Sequence, residues 1–203
     1  MTRADATAAT GSYVVQPNLG AAKLTSPLPD PQHYVEYEFT PVAGVAYRLW
    51  IRGIAENDDW ANDSAYVQFS NSVTATGQPT FRIGTSSATT YILEECSGCA
   101  MSRWGWEDNG YGSGVLGQVI YFGESRPQRL RIQGREDGLG FDQIVLSTDR
   151  YFNVAPGPPR NDATIVVLID GVSACVAPSS PAAPSACAAG SRTDRIRQTA
   201  GRR

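Results

Sequence analysis

Histidine occurs once in the 203 residues, at His33, and that scarcity removes several chemistries together. A copper histidine brace needs two, and the HExxH helix of a zinc protease is missing. Neither a GxSxG nucleophile elbow nor a GxxxxGK[ST] phosphate loop occurs, so hydrolase triads and nucleotide sites lack their parts. Long apolar runs are absent as well: crossing a bilayer takes ~20 residues, and the run at 165–169 is far too short. The opening MTRADATAAT has no apolar stretch of the kind a signal peptide carries. An excess of one charge is also lacking. The formal net charge is -3 and the basic residues are scattered, which offers nucleic acid no surface. Helical periodicity is almost nowhere to be found.

What is there is alternation. Short runs with apolar residues at every second position recur between clusters of Gly, Pro, Asn, Asp and Ser, the pattern of an all-β sandwich with one core. In 34–39, Val35, Tyr37 and Phe39 share one face and Tyr34, Glu36 and Glu38 the other. In 47–52, Tyr47, Leu49 and Ile51 point inward, with Arg48, Trp50 and Arg52 outward. Further strands are expected at 13–16, 66–70, 80–83, 91–94, 118–122, 129–133 and 141–146. Pro156, Gly157, Pro158 and Pro159 then close a domain of residues 1–155. Residues 156–203 read as a Pro/Ala/Ser-rich linker or disordered tail, with room for one extra strand at 163–169 and no stable structure after Ser179.

The four cysteines fall as Cys96 with Cys99 and Cys175 with Cys187. Zinc would need more ligands than one histidine supplies, and a redox CxxC needs a βαβ setting. A Cys96–Cys99 disulfide stiffening a loop is the expectation, which favours an oxidising, extracellular compartment. The loop it opens, CSGCAMSRWGWEDNGYG, offers Trp104 and Trp106 as stacking faces and Glu107, Asp108 and Asn109 as hydrogen-bonding groups, with Tyr111 beyond. A second polar loop, ENDDWANDS, carries Trp60 and Asn62. Positions two apart on a strand share a face, so Trp104 and Trp106 form one platform or one core plug. The platform reading requires that they not both be buried. The adjacent carboxylates Glu94–Glu95, Glu107–Asp108 and Glu136–Asp137 do not define the facing pair that a glycosidase needs.

The passage YVEYEFTPVAGVAYRLWIRG, residues 34–53, resembles the W/Y-V-E-Y-x-F/V … G-x-Y-x-L-x-x-R passage of galactose-binding-like β-sandwich modules, notably carbohydrate-binding modules of families 6 and 35. RLRIQGREDGLGFDQIVLS, residues 129–147, is similar to their H-x-I-x-I-x-x-x-x-G-x-x-x-D-x-I-x-L ending. NDSAYVQF, CSGC and WGWEDNG resemble a bacterial subgroup that is often appended to larger secreted proteins. The likeness spans residues 3–155. It implies a jelly-roll sandwich of two antiparallel sheets, no catalysis, and glycan or polysaccharide binding by loops at one edge. Trp104 or Trp106 matches the family's stacking tryptophan, with Trp60 and Tyr111 as secondary candidates. The resemblance also implies a structural calcium, with Asp5 and Asp142 at its acidic positions. Arg3 stands where the pattern has a further oxygen ligand, and Ser147 where family 6 has a sugar-binding asparagine.

The expected function is therefore non-catalytic glycan binding outside the cell. Trp60, Trp104 and Trp106 would stack on sugar while Asn62, Glu107, Asp108 and Asn109 set its orientation. The alternatives are an adhesion or structural module contacting an adjacent domain or subunit, and a glycan-active enzyme using two carboxylates.

Overall fold

The computed structural model describes residues 1–167 and the backbone of two short strands beyond them. Thirteen strands are present in this described part: β1 (Thr2–Ala4), β2 (Ser12–Val15), β3 (Tyr34–Phe39), β4 (Arg48–Ala55), β5 (Ser64–Phe69), β6 (Ser72–Val73), β7 (Thr89–Ile92), β8 (Gly105–Glu107), β9 (Tyr121–Phe122), β10 (Gln128–Gly134), β11 (Leu139–Ser147), β12 (Ser173–Val176) and β13 (Arg197–Thr199). They form an all-β sandwich. One sheet has the order β1-β2-β11-β4-β8, with β12 also beside β11; the other runs β13-β3-β10-β5-β7; β6 and β9 form a small ribbon. All the ladders are antiparallel.

The alternation read in 34–39 and 47–52 places its residues as expected. Tyr37, Phe39, Tyr47, Leu49 and Ile51 enter the core between the sheets, where they meet Val67, Phe69, Leu130, Ile132, Ile144 and Leu146. Phe122 sits at its centre with Phe39, Tyr47 and Phe69 edge-on around it, at ring-centroid distances of 5.1, 5.5 and 5.5 Å. Tyr91 crosses from one sheet to the other. A Cβ at Gly53 would run into its hydroxyl, so β4 needs glycine there.

Some expectations fail, each for a local reason. Residues 80–83 form no strand: Arg82 makes only a single bridge to Phe69, and Phe81 turns at φ 48°. The strand at 118–122 shrinks to β9, with Ile120 bridged alone to Tyr47. Residues 163–167 carry no ladder, and 168 and 169 lie outside the described residues, as does the tail after Ser179 apart from β13.

The stretch read as linker behaves differently as far as it is described. Residues 151–167 lie across the outer face of the first sheet. Trp50 Nε1 donates to Tyr151 O (2.6 Å), Trp106 N to Pro158 O (3.0 Å), and Asp162 N to Trp104 O (2.8 Å). Gln143 and Val166 exchange two bonds, and Val166 is buried. The outward side chains of β4 are thus covered, and every residue of β11 is buried. The packed unit runs past 155, because a proline-rich chain that lacks a core of its own can still roof someone else's.

Candidate functional site

The loop 100–110 is where the sequence concentrated its binding candidates, and the structure redistributes them. Cys96 and Cys99 are bonded, with Cα atoms 5.4 Å apart. Trp104 is 1% exposed and Trp106 0%. Trp106 packs with Trp50, Val145 and Val166, and its Nε1 donates to Thr164 O. Trp104 packs with Ala8, Tyr13 and Val15; its Nε1 donates to Thr7 Oγ1 (2.9 Å). Of the two possibilities, platform and plug, the plug is what forms. The stacking role expected of Trp104 and Trp106 is therefore corrected: the N-terminal segment closes over one and residues 158–166 over the other.

The carboxylates of the same loop are structural too. Asp108 accepts from Gly110 N (2.6 Å) and Gly117 N (2.9 Å) and meets Arg48 at 3.5 Å, tying the base of the loop 110–117. Asn109 Nδ2 donates to Thr89 Oγ1 and Gln118 O. Neither is free to take a sugar hydroxyl through those atoms. Glu107 is buried against Glu95, with which it shares a hydrogen bond, and burial, reinforced by that neighbour, pushes its carboxyl up to about 9. Burial raises Glu95 to about 6, with the nearby Asp108 carboxylate adding to it. The pair holds a proton at neutral pH because two anions cannot share a site with so little water. No local pattern announces this pairing, since Glu95 and Glu107 lie on different edge segments that only the sandwich brings together.

Asp142 is the unpaired residue of a bulge in β11, where the register slips between Phe141 and Gln143. Its carboxylate meets the guanidinium of Arg52, whose Nε also donates to Asp162 Oδ2 (2.8 Å) and whose Nη2 donates to Thr7 O and Asp162 O. Arg52 lies over the Trp104 ring, 4.7 Å from its centroid. Asp5 accepts from Thr7 N and Oγ1. These donors do not fit the calcium that the resemblance implies. Calcium takes six to eight oxygens, whereas Asp142 Oδ2 is held by Arg52 and Ala9 N, and only its Oδ1 has no partner among the described residues. No group of three or more His, Cys, Asp or Glu among the described residues is arranged for a metal. The cation that Asp142 meets is arginine.

Trp60 and Tyr111 remain outside, 64% and 61% exposed. Trp60 opens a single 3-10 turn, Trp60–Asn62, capped by Asp59, whose Oδ1 accepts from Ala61 N. Asn62 is buried and donates to Glu56 O, so its role is to brace this loop and not to touch a ligand. Directly before Trp60, Asn57 and Asp58 both take left-handed backbone, at φ 64° and 50°, and Arg103 does the same at φ 55°. Such residues are uncommon outside glycine and cluster where a surface is built for contact. Asp58 Oδ1 accepts from Arg103 N (2.8 Å), which locks the two loops together.

Between those loops and the N-terminal segment lies an open groove of about 580 Å³. Tyr13 and Ile54 floor it, and Arg3, Asn18, Glu56, Asn57, Asp58 and Arg103 rim it. Arg3 pairs with Glu56, which also accepts from Asn18 N (2.7 Å). Planar polar groups of both signs thus surround an aromatic floor, and the exposed Trp60 follows the rim residue Asp58 two positions on in the chain. Of the sequence candidates, the structure puts Trp60 beside this groove in the chain. Sequence reasoning missed Arg3, Tyr13, Asn18 and Arg103, which converge from four separate segments. Compared with known protein families, with curated proteins and with solved structures, the chain finds no match. Among the described residues no helix is long and apolar enough to cross a membrane.

Proposed function

We propose that the protein is a non-catalytic glycan-binding module of the extracellular space, and that its site is the Trp60 loop with the adjoining polar groove. The observation that carries this reading is Trp60 itself: an exposed indole on a loop pinned by Asp59, Asn62 and Asp58. A held aromatic face takes the apolar face of a sugar ring without first losing freedom. The groove rim supplies donors and acceptors in fixed positions for hydroxyls. The Cys96–Cys99 disulfide supports an oxidising location.

The test uses tryptophan fluorescence on the full chain with a panel of soluble polysaccharides. Three of the four tryptophans are buried, so a ligand that stacks changes the emission of Trp60. Trp60→Ala is expected to abolish the response and to weaken binding roughly tenfold or more. A saturable response that survives this substitution sinks the proposal.

A second reading, contact with an adjacent domain or subunit, is favoured by the loop 110–117. Asp108 and the close packing of Gly110 against Gly117 hold it in shape while Tyr111, Val115 and Leu116 stand exposed. It predicts association of the full chain, seen by sedimentation, that Leu116→Asp removes. Association unchanged in that variant rejects it.

A further inference from the structure

We propose that the chain modifies itself by closing an amide bond between the side chains of Lys23 and Asp63, with Glu136 moving the proton. Lys23 is the sole lysine of the sequence; every other residue in its count of basic side chains is arginine. A guanidinium stays protonated, whereas an ammonium that gives up a proton becomes an amine able to attack a carboxyl carbon. The one side chain with that capacity has its Nζ 2.5 Å from Glu136 Oε1.

Glu136 lies in the turn between β10 and β11, and Asp63 directly precedes β5. Arg135 N and Glu136 N both donate to Ser64 O (3.3 and 3.2 Å), which seats that turn against the start of β5. Glu136 thereby meets three partners: Lys23, the Ser64 hydroxyl, which donates to its Oε2, and Asp63, with which it shares a hydrogen bond. Asp63 and Glu136 are buried. The loop that delivers Lys23 is fastened on both sides of it, by Leu19 N and Ala21 N on Asp137 Oδ2 (2.7 and 2.9 Å) and by Leu24 N on Arg135 O (2.8 Å). Groups held together in this way react with effective molarities of up to about 10⁵–10⁸ M, which offsets the pull of water toward separate amine and acid.

The protons stand where the reaction needs them. An amine attacks a carboxylic acid and not a carboxylate, and burial raises Asp63 to about 7 against the bond from Glu94 N, with Glu136 adding to the rise. Burial pushes Glu136 up as well, but its bonds to Lys23, Ser64 and Asp63 outweigh that and hold it low, so it is the base. Glu136 takes one proton from the Lys23 ammonium. The amine lone pair forms a C–N bond to Asp63 Cγ, the C–OH bond of Asp63 breaks, and the hydroxyl leaves as water with a second proton from the nitrogen. An amide, one water and a neutral Glu136 result. Glu94 N, which donates to Asp63 Oδ2 (2.8 Å), supports the oxygen that stays while it gathers negative charge. The bond ties the loop 17–33 to β5 and, unlike the Cys96–Cys99 bridge, survives reduction.

The experiment is intact-mass spectrometry of the folded full chain after reduction of its disulfides, followed by tryptic mapping. The chain is expected to be lighter than its sequence by the mass of one water. Trypsin should fail to cut after Lys23 and should release a branched peptide joining residues 4–48 to residues 53–82. Lys23→Arg, which keeps the ion pair with Glu136, and Glu136→Gln should both show the full mass. Should Glu136→Gln fail to fold, Lys23→Arg alone decides. The proposal falls if the parent chain keeps its full mass and is cut after Lys23. It falls equally if the loss of water persists in Lys23→Arg, which would place the loss at another site such as a cyclised aspartate.

Discussion

The loop that carries Trp60 and the loop that carries Trp104 and Trp106 have nearly the same chemistry, yet one leaves its indole in water and the other loses both to the interior. Neither loop makes that difference by itself. Trp106 lies on β8 and Trp104 directly before it, at the edge of a sheet whose outer face is roofed by residues 151–167 and by the N-terminal segment. Trp60 sits on a turn that no other described segment crosses closely enough to bury. An aromatic loop becomes a site or a plug according to what arrives to cover it, from up to a hundred residues away.

The sharpest way to break this comparison is to remove the plug. Trp106→Ala is expected to cost about 3–5 kcal/mol, the range for deleting a buried aromatic, read as a lower urea midpoint. Arg52→Ala should cost about as much, because breaking a buried ion pair by removing one partner runs to about 3–5 kcal/mol. Here it strands both Asp142 and Asp162. Combining Arg52→Met with Asp142→Asn and Asp162→Asn should recover much of that loss, and a triple variant as unstable as Arg52→Ala would show that the clasp is not electrostatic. A smaller effect is expected for Asp108→Ala, about 1–3 kcal/mol from backbone groups left unpaired, together with faster amide exchange at Gly110 and Gly117.

The pH dependence is shared by the two loops, with the larger part on the side of Glu107. Glu107 and Glu95 have carboxyls raised by burial to about 9 and about 6, and Asp63 is likewise raised by burial to about 7. A group that holds its proton more tightly when folded stabilises the fold fully below its unfolded pKa, and that contribution is lost as pH rises through the folded value. The melting temperature is therefore expected to fall between pH 5 and pH 9, and Glu107→Gln to flatten most of that fall. An unchanged slope in the variant would place the effect elsewhere. Smallest of all is Trp60→Ala, whose effect on stability should stay within about 0.5 kcal/mol while the proposed glycan binding is lost.

The frame was readable from alternation because period two is a local property: Val35, Tyr37 and Phe39, or Tyr47, Leu49 and Ile51, announce their face without reference to the rest. The outward set, Arg48, Trp50 and Arg52, was assigned its correct direction as well. What alternation could not show is that outward does not mean exposed. A third layer made of proline-rich chain has no periodicity to betray it, so the burial of Trp104 and Trp106 was illegible. The Glu95–Glu107 pair was hidden for a related reason, since only tertiary packing of β8 against the segment after β7 sets the two carboxyls together. The Trp60 loop was legible in type, through its Asn and Asp residues, but its arginine and tyrosine partners come from positions with no pattern in common.

Arg52 holds the Thr7 carbonyl, the Asp142 bulge and Asp162 with one guanidinium, so stretches near both ends of the packed chain are fastened to the same point on the sheet. Outward along the chain from that point come β1 on one side and β12 and β13 on the other, each already laddered into a sheet. Load on the ends of the chain is therefore taken by those strands first, and the tryptophan face should stay covered until they part.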